Sequence, residues 1–276
     1  MRRLGPATFL AALLLGCAAQ AAAPRRVVSL NPCLDAILVR VAAPGQITAL
    51  SHYSREPYGS SVGVETARRY RVTHESAEEV MALSPDLVLT GNLTPQPTLR
   101  ALRGLGIEVQ VFAVPETVDA SLAQVRQVAA VVGRPEQGEA EAGRIRAALA
   151  AAAPPPGARP VRALVLHGGG FTTGPGALMD EMLRRAGFTN VAREYGLTRS
   201  GDVPLEKLLA DPPQVLLQGE AVPGLGGWGE RVMRHPALAR LRGRTRIVSF
   251  PEHLMYCAGP NLAETARVLA AARGGP

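Results

Sequence analysis

One block of sequence occurs twice in this chain. SAEEVMALSPDLVLT (residues 76–90) and PLEKLLADPPQVLLQ (residues 204–218) align without a gap, setting Glu78 on Glu206, Pro85 on Pro213 and Leu89 on Leu217. Each copy reads as a short helix, a proline stop and a buried strand. Proline ends the helix because it has no amide proton to donate and its ring clashes with the preceding turn. The Leu/Val run that follows has the length and composition of a strand. Such a unit cannot bury its apolar face alone, so two copies point to two related lobes. The 276 residues fit that division, since one domain typically takes roughly 100–200 residues. A hydrophobic content of 47% is ample for packed cores.

Strands and helices alternate around the repeat, which predicts βαβ units and parallel sheets. Residues 27–30 read as a first strand, with Asn31 as cap and Pro32 opening a helix. Residues 47–50, 87–89 and 109–112 read as further strands. Ser76 and Glu79 have the spacing of a capping box, and Gly104 and Gly106 stop a helix over 97–105. The second half repeats the theme, with strands at 163–166, 215–217 and 246–248 and helices at 177–186, 204–210 and 261–272. Between the halves lie a helix over 118–132, a break at Gly133-Arg134-Pro135, and a helix over 136–153. The last would be roughly 27 Å long at 1.5 Å per residue, and Pro154-Pro155-Pro156-Gly157 ends it. The expected fold is α/β: two Rossmann-like lobes with parallel sheets joined by one long helix, with a ligand cleft between them. The expected divisions are an N-terminal lobe over 24–117, a helical segment over 118–157 and a C-terminal lobe over 158–276.

Residues 1–23 read as a signal peptide: Arg2 and Arg3, then an apolar run over 7–15 too short to span a bilayer. Two exits compete. Ala19-Gln20-Ala21 would release a soluble periplasmic protein, whereas Leu14-Leu15-Gly16-Cys17 resembles a lipobox that would anchor it through a lipid on Cys17. Either way Cys33 and Cys257 remain as a pair in an oxidising compartment. They read as a disulfide, as thiolate contacts to a soft metal or cobalt, or as two small buried side chains. The net charge is +7 and Lys207 is the only lysine. The arginines reflect genome base bias, or some face an anionic ligand. No basic run interleaves with aromatics, so no nucleic-acid partner is expected, and the chain reads as a monomer.

In open parallel sheets, ligands bind beyond the carboxyl ends of the strands. That rule selects residues 29–33, 51–55, 91–92, 167–174, 218–220 and 251–260. Within and near these segments the candidate ligand contacts are Asn31, Cys33, His52, Phe171, His253 and Cys257. Tyr53, Phe171 and Tyr256 are the choices for a ligand's faces, and Arg55 and Arg68 for its anionic groups. Trp228, in the loop GLGGWGE, either reaches the rim or packs locally. His52, His167 and His253 each follow a strand, but no tight His/Cys spacing marks a metal site built by the protein. Gly168-Gly169-Gly170 lacks the GK[ST] of a phosphate loop. Without a G-x-S-x-G elbow or a Ser/His/Asp set, an enzyme is not expected.

VVSLNP before a helix, SHYSREP after the second strand, EEVMALSPDLVL, FTTGPGALMDEMLRRAGFTNV and the closing AGPNLAETARVLAA helix follow in that order. The ordered set, spanning about residues 25–272, resembles the helical-type (class III) periplasmic substrate-binding proteins of bacterial ABC importers for cobalamin, iron–siderophores and haem. The resemblance implies a long helix that joins the lobes and limits closure. It also implies that Glu78 and Glu206 pair with arginines of the membrane permease, against the plainer reading of two helix-start glutamates favoured by the helix dipole. Tyr53 and Phe171 match aromatic positions of the cobalamin binders, whereas their tryptophans are replaced here by His74, Gly91 and Gly201. The function implied is capture of a metal chelate, a corrinoid or ferric siderophore, for delivery to the permease. Receptors for haem or a bare metal ion are the alternative, and no intrinsic cofactor is expected.

Overall fold

The first strand and helix form because a buried apolar run meets a strong cap. In the computed structural model, which describes residues 22–168, 170–220, 231, 235–241 and 243–274, β1 (Val27–Ser29) is wholly buried. It feeds α1 (Pro32–Val41), whose Asn31 cap accepts from the amides of Cys33 and Leu34 while Pro32 holds the first position. The leader through residue 21 with Cys17, and the loop with Trp228, lie outside the described residues.

The first sheet comprises β1, β2 (Ile47–Ser51), β3 (Arg71–Thr73), β4 (Leu87–Gly91) and β5 (Glu108–Phe112). It is parallel throughout, in the order β3-β2-β1-β4-β5. Its connections include α2 (Val64–Ala67), α3 (Ala77–Ala82) and α4 (Gln96–Gly104). The helices α5 (Val118–Val131) and α6 (Pro135–Ala151) lead into the second half. There β6 (Val161–Leu166), β8 (Phe188–Asn190), β10 (Val215–Gln218) and β11 (Arg246–Ser249) form a second parallel sheet, ordered β11-β10-β6-β8. A small antiparallel pair, β7 (Phe171–Thr172) and β9 (Gly201–Asp202), stands beside it. The helices of this half include α7 (Leu178–Arg185), α8 (Leu205–Ala210), α9 (His253–Tyr256) and α10 (Asn261–Gly274).

The repeated block occupies the same place in both sheets. α3 leads into β4 beside the central β1, and α8 leads into β10 beside the central β6. The expected class, α/β with two parallel sheets, is the one observed. Helix α6 has 17 residues and packs on α5, α10 and α1.

One apolar cluster runs through both halves. Val27, Leu38 and Leu89 of the first join Val128 and Ile145 of the connecting helices and Val165, Leu217 and Leu269 of the second. Polar contacts reinforce that base. Gly259 donates from its amide to Ser121 Oγ at 2.8 Å, and Glu181 on α7 accepts from the Val118 amide at 2.9 Å. Gly259 has φ +65°, and a β carbon there would stand 2.9 Å from Ile37 Cγ1. Only glycine accommodates both that backbone and that approach to α1.

Candidate ligand-binding cleft

In each sheet the chain leaves the central strand to one side and later returns on the other, β2 against β4 around β1 and β8 against β10 around β6. Where strand order reverses, the loops at the carboxyl ends diverge and leave a crevice. A cavity of about 660 Å³ lies there, between loops after β1, β4 and β5 on one side and after β6, β7 and α9 on the other.

The N-terminal wall is open and mixes aliphatic side chains with Asn92, Glu116 and Gln124. Leu93 and Val114, in the loops after β4 and β5, line it while remaining 84% and 61% exposed. Large aliphatic side chains left in water at the mouth of a crevice are the kind of surface that a ligand covers. A β carbon on Gly91 would stand 2.9 Å from Asn31 Nδ2, so glycine leaves room for that side chain. Asn31 lines the cavity, yet its side-chain oxygen is committed to capping α1, with bonds of 2.9 and 3.2 Å from the amides of Cys33 and Leu34.

The C-terminal wall is organised around one buried carboxylate. Glu252 is only 3% exposed. Its Oε2 accepts from the Gly168 amide at 3.1 Å and its Oε1 from the Tyr256 hydroxyl at 2.5 Å. His167 Nδ1 stands 3.6 Å from the same Oε1, and its Nε2 is hydrogen-bonded to Thr173 Oγ1 at 3.1 Å. Burial pushes the Glu252 carboxyl up, but His167, Tyr256 and the Gly168 amide together outweigh it and hold the group below its ordinary value. Burial, then the adjacent carboxylate, raise the Tyr256 phenol, which keeps its proton. A β carbon on Gly219 would collide with Glu252 Oε2, so that glycine makes room for the charge. The His167 ring lies on Phe171 at 4.1 Å and 10°, with the Tyr256 ring 5.8 Å away. Together they form an aromatic floor. Arg199 is the one guanidinium lining the cavity among the described residues.

Cys33 and Cys257 form a disulfide, with Cα atoms 5.0 Å apart, and both line the cavity. That decides among the three readings of the pair: the sulfurs are bonded to each other and are not thiolate ligands.

The cavity brings together five of the expected residues: Asn31, Cys33, Phe171, Tyr256 and Cys257. His52, Tyr53, Arg55, Arg68 and His253 are outside its lining. For the first three the cause is topological. β2 lies on the far side of β1 from β4, so its following turn, His52–Arg55, is displaced from the crevice. Local bonds fasten it there. Arg55 donates to the Tyr70 carbonyl at 2.5 Å, and His52 packs on Tyr53 and His74 at 4.0 and 4.7 Å. Arg68 pairs with Glu65 at 2.5 Å. Beneath the turn Asp35, fully buried, accepts from the Ser51 amide at 3.0 Å and from Ser54 Oγ at 2.6 Å, while its Oδ1 has no partner. Ser51 Oγ in turn donates to Glu75 at 2.8 Å. Burial raises Asp35 to about 8 against the pull of the Ser29, Ser54 and Ser51 bonds, with Glu75 adding to the rise. Sequence reasoning missed Leu93, Val114 and Arg199. Extending the strand-end rule to β5 would have found Val114, whereas Arg199 precedes a two-residue strand that has no pattern to read.

A family model described as periplasmic binding protein matches residues 27–242. The chain belongs to that family. Members of that family are binding proteins. Among curated proteins, the vitamin B12-binding protein of Pectobacterium carotovorum subsp. carotovorum (strain PC1) is 33% identical over 129 residues, 46% of this chain and 45% of that relative. The chain thus spans about half the length of the curated relatives it matches. Among solved structures, the periplasmic haem-binding protein RhuT from Roseiflexus sp. RS-1 in apo form superposes with a TM-score of 0.71 at 24% identity, covering 89% of this chain and 98% of the other. The periplasmic vitamin B12 binding protein BtuF of Vibrio cholerae does so at 0.65 and 18%, covering 90% and 95%. These two likenesses establish the fold of this periplasmic binding protein. No helix among its described residues is long and apolar enough to cross a membrane.

Proposed function

We propose that this periplasmic binding protein captures a metal chelate of the tetrapyrrole class, a corrinoid or haem, and delivers it to an ABC permease. The observation that carries the reading is the make-up of the cleft: an aromatic floor of His167, Phe171 and Tyr256 facing an aliphatic lip of Leu93 and Val114, with Arg199 as its guanidinium. A flat macrocycle offers two broad apolar faces and a few peripheral carboxylate or amide groups, which matches walls of that kind. A ferric siderophore with several anionic donors calls for more cationic side chains than the described lining holds. Similarity to a vitamin B12-binding and a haem-binding protein supports the same class.

Delivery rests on Glu78 and Glu206. Both are exposed and stand in the first turns of α3 and α8. Both helices run back against their sheets, so these first turns sit at the cleft-side end of each half. Two equivalent carboxylates at equivalent places suit a two-fold arginine surface on a permease.

Titration of the purified protein with cyanocobalamin, ferric haem and a ferric siderophore, followed by absorbance and calorimetry, tests the ligand class. Saturable one-to-one binding of a tetrapyrrole, weakened by Tyr256→Ala, is expected. Binding of the siderophore with neither tetrapyrrole overturns the reading.

A further inference from the structure

We infer that the Cys33–Cys257 disulfide is a binding element: it crosses the lobe boundary to fix Tyr256 in the cleft, rather than to hold the lobes together. The disulfide closes a sequence separation of 224 residues, and a lobe staple is its obvious reading. The surroundings argue otherwise. Two residues beyond Cys257, Gly259 is already joined to α5 by its bond to Ser121 and pressed against Ile37 of α1. Glu181 ties α7 to the start of α5, and one apolar cluster spans both halves. The lobes are therefore fastened at this point without the sulfurs.

The least anchored part is the segment just before, where Leu254 and Met255 reach the core but Tyr256 does not. Tyr256 ends α9, a helix of four residues, too short to be stable by itself because nucleation outweighs so few bonds. The Tyr256 side chain is 53% exposed in the cleft. Its ring is held from one side by the hydroxyl bond to Glu252, and its main chain from the other by the neighbouring disulfide, whose Cys33 Sγ lies 3.9 Å from the Tyr256 carbonyl oxygen. Leu254 is buried in the core, so the free end of α9 is the end that carries Tyr256. Anchoring that end to α1 orders the aromatic before a ligand arrives, and preorganised contacts bind more tightly because their ordering cost is not charged to association.

The inference rests on the proposed cleft ligand for its size, but not for its test. A dithiol such as dithiothreitol supplies two electrons and two protons, closing to its own cyclic disulfide while Cys33 and Cys257 become thiols; Cys33→Ala with Cys257→Ala removes the cross-link without reductant. Hydrogen exchange on the ligand-free protein, oxidised and reduced, is the ligand-independent readout. Faster exchange confined to residues 253–258 is expected. Exchange that rises equally along α1, α5 and α10 overturns the inference and makes the disulfide a lobe staple, as does no change at 253–258. With whichever tetrapyrrole binds, reduction should weaken affinity about tenfold, equivalent to about 1.4 kcal/mol, and this loss should vanish in a Tyr256→Ala background. An undiminished loss in that background also overturns it. If no tetrapyrrole binds, the proposed ligand class fails while the exchange experiment still decides the role of the disulfide.

Discussion

Replacing Asp35 by asparagine should remove a large pH dependence from the stability of this protein. Asp35 is fully buried, its Oδ1 has no partner, and burial raises it from 3.8 to about 8. Below about pH 4 the carboxyl holds its proton in both folded and unfolded chains. Between about pH 4 and 8 the folded protein keeps a proton that the unfolded chain gives up, so stability falls as pH rises through that window and levels off above it. The rise spans roughly four pH units at about 1.36 kcal/mol each, or on the order of 5 kcal/mol in total. That is comparable with the whole stability of many domains, about 5–15 kcal/mol. Asparagine does not ionise, and its side-chain oxygen can still accept from the Ser51 amide and Ser54 Oγ. It buries an extra amide, but that cost does not vary with pH. The assay is urea unfolding of both proteins from pH 4 to pH 9, taking the difference at each pH so that other titrating groups cancel. The wild type should lose ground to Asp35→Asn by about 1.4 kcal/mol per unit at the steepest part. A difference that stays flat, or that grows in favour of the wild type as pH rises, refutes the reasoning.

Two other expectations are simpler. Glu78→Ala combined with Glu206→Ala should leave ligand affinity unchanged in calorimetry and abolish uptake by cells carrying the cognate permease; undiminished uptake removes both residues from docking. Gly259→Ala must place a methyl group 2.9 Å from Ile37 Cγ1 at a φ of +65°, so thermal unfolding should show destabilisation of about 2–4 kcal/mol from overpacking and backbone strain together.

The parts of the fold that could be read from sequence were those with a local physical signal. The repeated helix–proline–strand block located β4 and β10, and the Asn31-Pro32 start of α1 was legible because capping is a short-range interaction. β3 was invisible: three residues, Arg71–Thr73, at the edge of a sheet carry no usable alternation. β7 and β9 are two residues each and exist only because they meet. The site divided the same way. Strand-end reasoning reached Asn31, Phe171 and Tyr256, because the carboxyl-end rule needs only the order of elements. It also took the turn after β2 into the cleft. In the strand order, which local sequence does not encode, β2 flanks β1 on the side away from β4, and none of that turn's residues lines the cavity. The bonding of Cys33 to Cys257 was undecidable for a related reason, since their proximity depends on how the two halves meet.

That meeting has a consequence for the halves themselves. Although each contains its own sheet, the cluster containing Val27, Ile145 and Leu217 belongs to neither alone. Cutting the chain at Pro154-Pro155-Pro156-Gly157 would strip each fragment of apolar partners supplied by the other. The two halves should therefore unfold together in one transition, because each covers an apolar face of the other.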